Sequence, residues 1–353
     1  MPSSRTAARK TNKPTANARR TSAARADIVA IGLNATDTLI RVPRFPAFDS
    51  KTKIVSSSIL PGGQAATAAV ACRRWGLRSR YIGKIGDDAA GRLQRDEFAR
   101  EGVEAHLLEV PDCASQLAFI IVDQATGERT ILWQRDVRLD LRPEELPREW
   151  IRGARLLHAD GHPCAPAAAA ARWAREAGAM VTADLDNIYP GVEELLEHVD
   201  FMIGSRDFPE RLLGISNLFE SLPEITRRFG CRVAGATLGR DGVLAWDGIQ
   251  FHYCPAFRIE AVDTTGAGDV FHAGFAFALL RGDILPAILE FSSAAAGLNC
   301  TAPGARGGIR PVSEIERLRR EGARHDRLFG DAELHRESAR AATLAVKHTS
   351  SKK

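Results

Sequence analysis

The residues Asp263-Thr264-Thr265-Gly266-Ala267-Gly268-Asp269 place two carboxylates, two hydroxyls and three small residues in one run, followed by the apolar stretch 270–280. Small side chains at 266–268 let backbone N–H groups reach an anion, and a helix starting there adds the positive end of its dipole. Asp269 then falls in the first helical turn, where it can accept a proton from a hydroxyl attacking a γ-phosphate. A helix N-terminus favours the carboxylate form, so Asp269 is expected to have a lowered pKa and to be a weak base. Phosphoryl transfer through a loose transition state tolerates this, because the proton leaves late and positioning dominates. The plainer reading is a Gly-rich turn with Asp269 capping a buried helix. So many polar and small residues in seven positions favour the phosphoryl-transfer reading.

Two further segments carry candidate chemistry. Asp37 follows the apolar segment 28–33, at a point where a loop at a strand's carboxyl end would face the ligand crevice of an open α/β sheet. Its carboxylate can accept hydrogen bonds from adjacent sugar hydroxyls or can simply cap a turn. In 237–242, Thr237, Gly239 and Gly242 end a strand-like run; glycines there can admit nucleotide phosphates or serve as ordinary turn residues.

The elements that must position these residues alternate along the chain. Strand-like runs at 28–33, 79–82, 155–159, 180–183, 200–203 and 232–236 are interleaved with helical patterns at 65–75, 89–101 and 166–177, each followed by a glycine suited to a left-handed C-cap. That layering predicts a mainly parallel sheet with helices on both faces. The segment 116–134 reads instead as a β-hairpin, and 38–60, with Pro43 and Pro46, as extended chain; together they could form a separate small sheet. A second hairpin is expected over 243–253. Beyond Pro311 lies a charged helical run, 313–320, then an Arg-, His- and Ala-rich segment expected to fray.

The formal charge of +4 is concentrated at the start of the chain. The first 26 residues carry Arg5, Arg9, Lys10, Lys13, Arg19, Arg20 and Arg25 without an acid and read as disordered, leaving a slightly acidic body. A basic face for nucleic acid is not expected, and no apolar stretch of 18 residues is present for a membrane span. Six cysteines without CxxC or zinc spacing suit a reducing compartment, so a cytoplasmic location is expected.

The run 263–269 reads very nearly as the C-terminal signature of the PfkB carbohydrate kinases, the ribokinase-like family. The chain also resembles that family at 61–68, through Trp75-Gly76 and over 83–91. The resemblance implies a three-layer αβα core with a mainly parallel sheet, plus a small β-sheet lid from about 38–60 and 116–136. It implies a kinase domain at 27–318 between a disordered basic tail, 1–26, and a charged C-terminal extension, 319–353. ATP and Mg2+ are the implied nucleotide and metal. Asp269 is the implied catalytic base, with the amides of Gly266, Ala267, Gly268 and Asp269 as anion hole. Asp37 would hold substrate hydroxyls, and the Gly62-Gly63 backbone would pack against the sugar. Thr237, Gly239 and Gly242 would lie over the ATP phosphates with Thr265 among the nucleotide contacts, and 292–297 and 300–308 would border adenine. Asp263 and Thr265 fall where relatives place a monovalent cation such as K+, although Gly308 offers only backbone where some have a serine ligand.

Two departures bear on the substrate, and one, the missing Asn-x-x-Glu, on how magnesium and phosphate are arranged. Thr67 replaces the usual asparagine of the N-terminal signature and has a shorter reach. Ser205-Arg206-Asp207-Phe208 stands where many relatives have Asn-x-x-Glu, leaving Asp207 and Glu210 as substitutes or plain surface charges. The branch acting on sulfofructose shares the Gly-Gly-x-Ala-Ala-Thr and Cys-Thr-x-Pro-Gly patterns, and Lys51 could match its sugar-side lysine; His162, however, stands in place of its arginine. The reading is an ATP-dependent sugar kinase, with a homodimer through the lid as one assembly. Two alternatives stay open. A nucleoside or hydroxymethylpyrimidine kinase would need aromatic stacking, for which the N-terminal half offers Phe45, Phe48 and Phe119. A sugar- or nucleotide-sensing protein would have kept the fold and lost turnover. The fingerprints of dinucleotide-binding and P-loop folds are missing.

Overall fold

A computed structural model describes residues 25–126 and 129–350. Strand β1 (Ile28–Ile31) passes through a three-residue joint into β2 (Ala35–Val42) and β3 (Ser56–Gly62). The chain returns through α1 (Gln64–Arg74), β4 (Ser79–Gly86), α2 (Ala89–Glu101) and β5 (Glu104–Val110), then leaves again as the hairpin β6 (Leu117–Asp123) and β7 (Arg129–Gln134). Alternation resumes with α3 (Arg148–Arg152), β8 (Leu156–Ala159), α4 (Cys164–Glu176), β9 (Met180–Leu185), α5 (Val192–Leu196), β10 (Phe201–Ser205), α6 (Phe208–Leu213), α7 (Leu218–Phe229) and β11 (Val233–Thr237). The hairpin β12 (Val243–Trp246) and β13 (Phe251–Cys254) precedes four helices, α8 (Ala267–Arg281), α9 (Leu285–Asn299), α10 (Val312–Glu321) and α11 (Asp331–Ser350).

Nine strands form the main sheet in the order β13-β12-β11-β10-β9-β8-β1-β4-β5. All pairs are parallel except β11–β12 and β12–β13. The central strands are continuous buried runs, IVAI in β1 and LLHA in β8, as expected of parallel strands covered on both faces. One face packs under α4, α5, α7 and α11 through residues such as Ala170, Leu195, Leu222 and Leu334; the other packs under α1, α8 and α9 through Ala68, Phe275 and Phe291. The sequence expectation of an αβα sandwich holds.

The second sheet, order β3-β2-β6-β7, is the lid. Its outer pairs are antiparallel and its central pair, β2–β6, is parallel. Registers align Leu60, Asp37, Ala118 and Trp133 in one row and Ile59, Thr38, Phe119 and Leu132 in the next. Because successive side chains alternate between faces, the two rows lie on opposite faces of the lid.

Two expectations change. Asp37 lies within β2 rather than in a loop, because the short joint leads β1 directly into the lid. Over 322–341 the segment is docked rather than frayed: Leu334 and Ala341 of α11 are buried, and the Phe251 N–H donates to Ser338 Oγ at 2.9 Å. The basic tail lies outside the described residues except for its last two, of which Ala26 is buried in the core.

Candidate active site

The run 263–269 is a turn opening α8. Gly266 is the N-cap at φ 73°, and no side chain caps the helix, so its first-turn N–H groups face outward. Glycine is required twice over at 266: the backbone is left-handed, and a Cβ would lie 2.4 Å from the Ala305 carbonyl oxygen. Asp269 stands in the first turn, with the larger of two cavities on one side.

That cavity, about 750 Å³, lies between lid and main sheet and is lined by Asp37, Gly63, Trp133, His162, Tyr189 and Asp269, among others. Asp37 reaches it from the inner row of the lid, and its carboxylate is pressed against Gly62, where a Cβ would meet Asp37 Oδ2 at 2.0 Å. His162 and Tyr189 pack with ring centroids 3.9 Å apart. The aromatic lining thus comes from Trp133 and Tyr189, whereas Phe119 belongs to the outer row and Phe45 and Phe48 are exposed.

Four acids converge here from separate elements. Burial pushes Asp269 up to about 8, with the charges of Asp184, Asp37 and Asp160 adding to the rise and Arg306 opposing it. The expected lowering by the helix terminus is therefore overturned, because dehydration and three neighbouring carboxylates outweigh the dipole. Asp37 is raised to about 6, chiefly by burial, against the pull of Arg306. Burial likewise holds Asp160 up to about 7, although its carboxylate accepts from Leu33 N at 2.7 Å, Ala65 N at 3.0 Å and His162 N at 3.0 Å. Those three bonds tie the joint after β1, the start of α1 and the loop after β8. Asp184 goes the other way: burial would raise it, but His272, 3.1 Å away, draws it below the usual carboxylate range. His162 is depressed to about 4 by burial and by Arg135, so it is neutral.

Arg306 was not singled out by the sequence reading. It is buried, donating from Nε to Thr67 Oγ1 at 3.1 Å and from Nη2 to the Gly62 carbonyl at 2.8 Å, with Glu97 at 3.6 Å. Thr67 is fully buried and holds Arg306 rather than lining the cavity. Within 300–308, only Cys300 lines the second cavity; Ala305 lines the first, and Arg306 turns toward the Asp37 side. The one sequence signal was an arginine inside a run of small residues.

The second cavity, about 330 Å³, is lined by Thr237, Gly239, Gly242, Ala267 and Gly268 at one part and by Phe257, Ser293, Ala296 and Gly297 at another. The α8 terminus therefore divides two sites: Gly266 and Asp269 face one, Ala267 and Gly268 the other. From the lid, Arg129 donates to Thr264 Oγ1, joining β7 to the anion turn. Lys51 is exposed and outside both cavities, because β2 and β3 pair along their length, from Ala35 with Gly62 to Arg41 with Ser56, and Lys51 lies in the connection between their far ends. Asp207 and Glu210 are exposed and line neither cavity.

Asp263 accepts from Thr265 N at 2.9 Å, Thr265 Oγ1 at 2.7 Å and Gly304 N at 2.8 Å. These three bonds make Asp263 a clasp of the loop; they leave acceptor capacity on Oδ2, which carries one of them. Among the described residues no group of three or more His, Cys, Asp or Glu could cage a metal. Magnesium fits as an ion carried by nucleotide phosphates with one or two carboxylates, which the acids at the α8 terminus can provide.

Two cavities meeting at a helix N-terminus, a carboxylate at the junction and a separate small sheet over the larger cavity define a small-molecule kinase of ribokinase-like fold. The chain belongs to the pfkB family of carbohydrate kinases, whose profile matches residues 25–311. It is 30% identical over 282 residues to the ATP-dependent ribose-1-phosphate kinase of Halopiger xanaduensis, covering 76% of this chain and 90% of that one. It is 28% identical over 318 residues to the ribokinase of Bacillus subtilis, covering 83% and 99%, and 29% identical over 306 residues to a nucleoside kinase of Methanothermobacter thermautotrophicus, covering 82% and 94%. The fold is shared with the ribokinase of Thermotoga maritima at TM-score 0.72 and 24% identity, covering 84% of this chain and 100% of that chain. The Arabidopsis thaliana ribokinase complexed with ribose and ATP superposes at TM-score 0.70 and 22% identity, covering 84% and 99%.

Proposed function

We propose that the protein transfers the γ-phosphoryl group of ATP to a hydroxyl of a sugar held in the larger cavity. The observation that carries this reading is Asp269: a carboxylate with a raised proton affinity at the boundary of two cavities, beside uncapped helix N–H groups. ATP would occupy the smaller cavity with its phosphates toward Gly239, Gly242, Ala267 and Gly268. Magnesium, bound with the triphosphate, would neutralise charge on the phosphoryl oxygens. Asp37 accepts hydrogen bonds from acceptor hydroxyls, with the Gly62-Gly63 backbone beneath the sugar. Asp269 takes the hydroxyl proton as the oxygen attacks phosphorus, and the α8 amides stabilise charge on the transferring group. Arg129, already on Thr264, closes the lid over that group.

Trp133 and Tyr189 favour a second acceptor class, a riboside whose planar base stacks against them while its sugar occupies the same place. The outer lid row, with Ile59, Phe119 and Leu132 at 62%, 43% and 55% exposure, is the face on which a second copy would pair. Six free, buried cysteines suit a reducing compartment, which supports a cytoplasmic enzyme. Asp269→Asn tests the assignment: turnover should fall at least about a hundredfold while nucleotide binding is kept. Near-normal kcat would remove Asp269 from the role of base.

A further inference from the structure

Beyond the family match, the chain turns back over the smaller cavity. Residues 322–330 join α10 to α11, and they are held at several points. Arg258 N donates to the Ala323 carbonyl and His325 N to the Ala256 carbonyl, both at 2.9 Å, around a single bridge between Phe257 and Arg324. The Arg324 guanidinium lies 3.9 Å over the Phe257 ring and donates to the Pro255 carbonyl at 3.2 Å and to Glu290 at 3.1 Å. Leu328 N donates to Tyr253 Oη at 3.0 Å, and that hydroxyl donates to the Asp241 carbonyl at 2.6 Å, in the turn that carries Gly239. The docked α11 anchors the far end.

These bonds bring His325 to the wall of the smaller cavity, beside Ala256, Phe257 and Ile259. The ring is half-buried and makes no hydrogen bond with the described residues. Apolar walls bury the faces of a planar base but cannot tell one base from another. An imidazole on the same wall offers N–H and N groups to a base edge, and unpaired edges are what such a site discriminates against.

We infer that His325 is a specificity-determining residue of the nucleotide site, contacting the base of the nucleoside triphosphate from the C-terminal extension. The inference rests on the proposed placement of ATP in the smaller cavity. One hydrogen bond lost from such a contact raises the KM for ATP roughly 3- to 10-fold.

The test uses the full chain with ATP, GTP and UTP, measuring KM and kcat for each nucleotide, KM for the acceptor, and nucleotide binding by calorimetry. His325→Ala should raise KM for ATP, leave kcat and acceptor KM unchanged, and narrow the preference between ATP and GTP. His325→Gln, which keeps an edge donor and acceptor, should restore part of the preference. Leu334→Asp, which undocks α11, should act in the same direction as His325→Ala. Unchanged nucleotide preference in His325→Ala, with the wild type binding and using ATP, overturns the role of His325 alone. A wild type that binds none of the three overturns both this inference and the nucleotide reading of the cavity.

Discussion

Replacing Asp269 by Asn should make the protein more stable, and increasingly so as pH rises. The folded-state pKa of Asp269 is about 8 against an ordinary 3.8. A carboxyl raised in this way disfavours the folded state once it must ionise: the penalty is absent below the unfolded value, grows through the interval and is complete above the folded value. At pH 7 the nominal shift of about 3 units corresponds to about 4 kcal/mol at 1.36 kcal/mol per unit. Asp269 keeps an edge toward the cavity and shares charge with Asp37, Asp160 and Asp184, so about half of that, roughly 2 kcal/mol, is the expected effect. At about 2 °C per kcal/mol for a domain of this size, the Tm of Asp269→Asn should exceed that of wild type by about 4 °C at pH 7 and by about 2 °C at pH 5. Scanning calorimetry or fluorimetry across pH 5 to 8 reads it directly. A Tm difference independent of pH would mean that Asp269 titrates as an ordinary surface carboxylate, and the electrostatic account of the site would fail.

Arg306→Gln should move the acid limb of kcat/KM to higher pH, because the lost charge holds the proton affinities of Asp37 and Asp269 down; it should also cost about 1–3 kcal/mol by removing the buried hydrogen bonds to Thr67 and the Gly62 carbonyl, with Glu97 keeping Arg100 as its partner. Chemical denaturation and a pH–rate profile separate the two effects, and an unmoved limb would reduce Arg306 to a packing role. Asp introduced together at Phe119 and Leu132 should shift the sedimentation mass to that of a monomer while leaving the inner lid row intact; an unchanged mass would place any dimer elsewhere.

Much of the fold was legible because it is local. Buried apolar runs, glycine C-caps such as Gly102 at φ 68°, and turn-bounded hairpins each signal themselves within a dozen residues. The α8 terminus was legible for the same reason. What escaped was long-range. The proton affinity of Asp269 is raised by burial and by acids from β2, β9 and the loop after β8, up to 232 positions away, whereas the sequence reading weighed only the local dipole. Asp160 carries no motif, and its importance lies in bonding three backbones that converge at one edge of the sheet. Thr67 looked like a weakened substrate contact because its partner, Arg306, lies 239 residues on. His325 sits in a stretch read as fraying, since the contacts that hold it are backbone pairings to 256–258 and leave no pattern in composition. Lys51 was misplaced for the converse reason: matching one residue to a distant branch says nothing about where the projecting chain between two strands goes.

ADP release with ATP and a panel of hexoses, pentoses, sugar phosphates and ribosides, coupled to identification of the phosphorylated product, tests the central claim most directly. Acceptor-dependent ADP release with a phosphate ester on a sugar hydroxyl, abolished in Asp269→Asn, is the predicted result. Measurable ATP binding with no acceptor-dependent turnover across the panel would contradict it and favour a sensing protein that retains the fold.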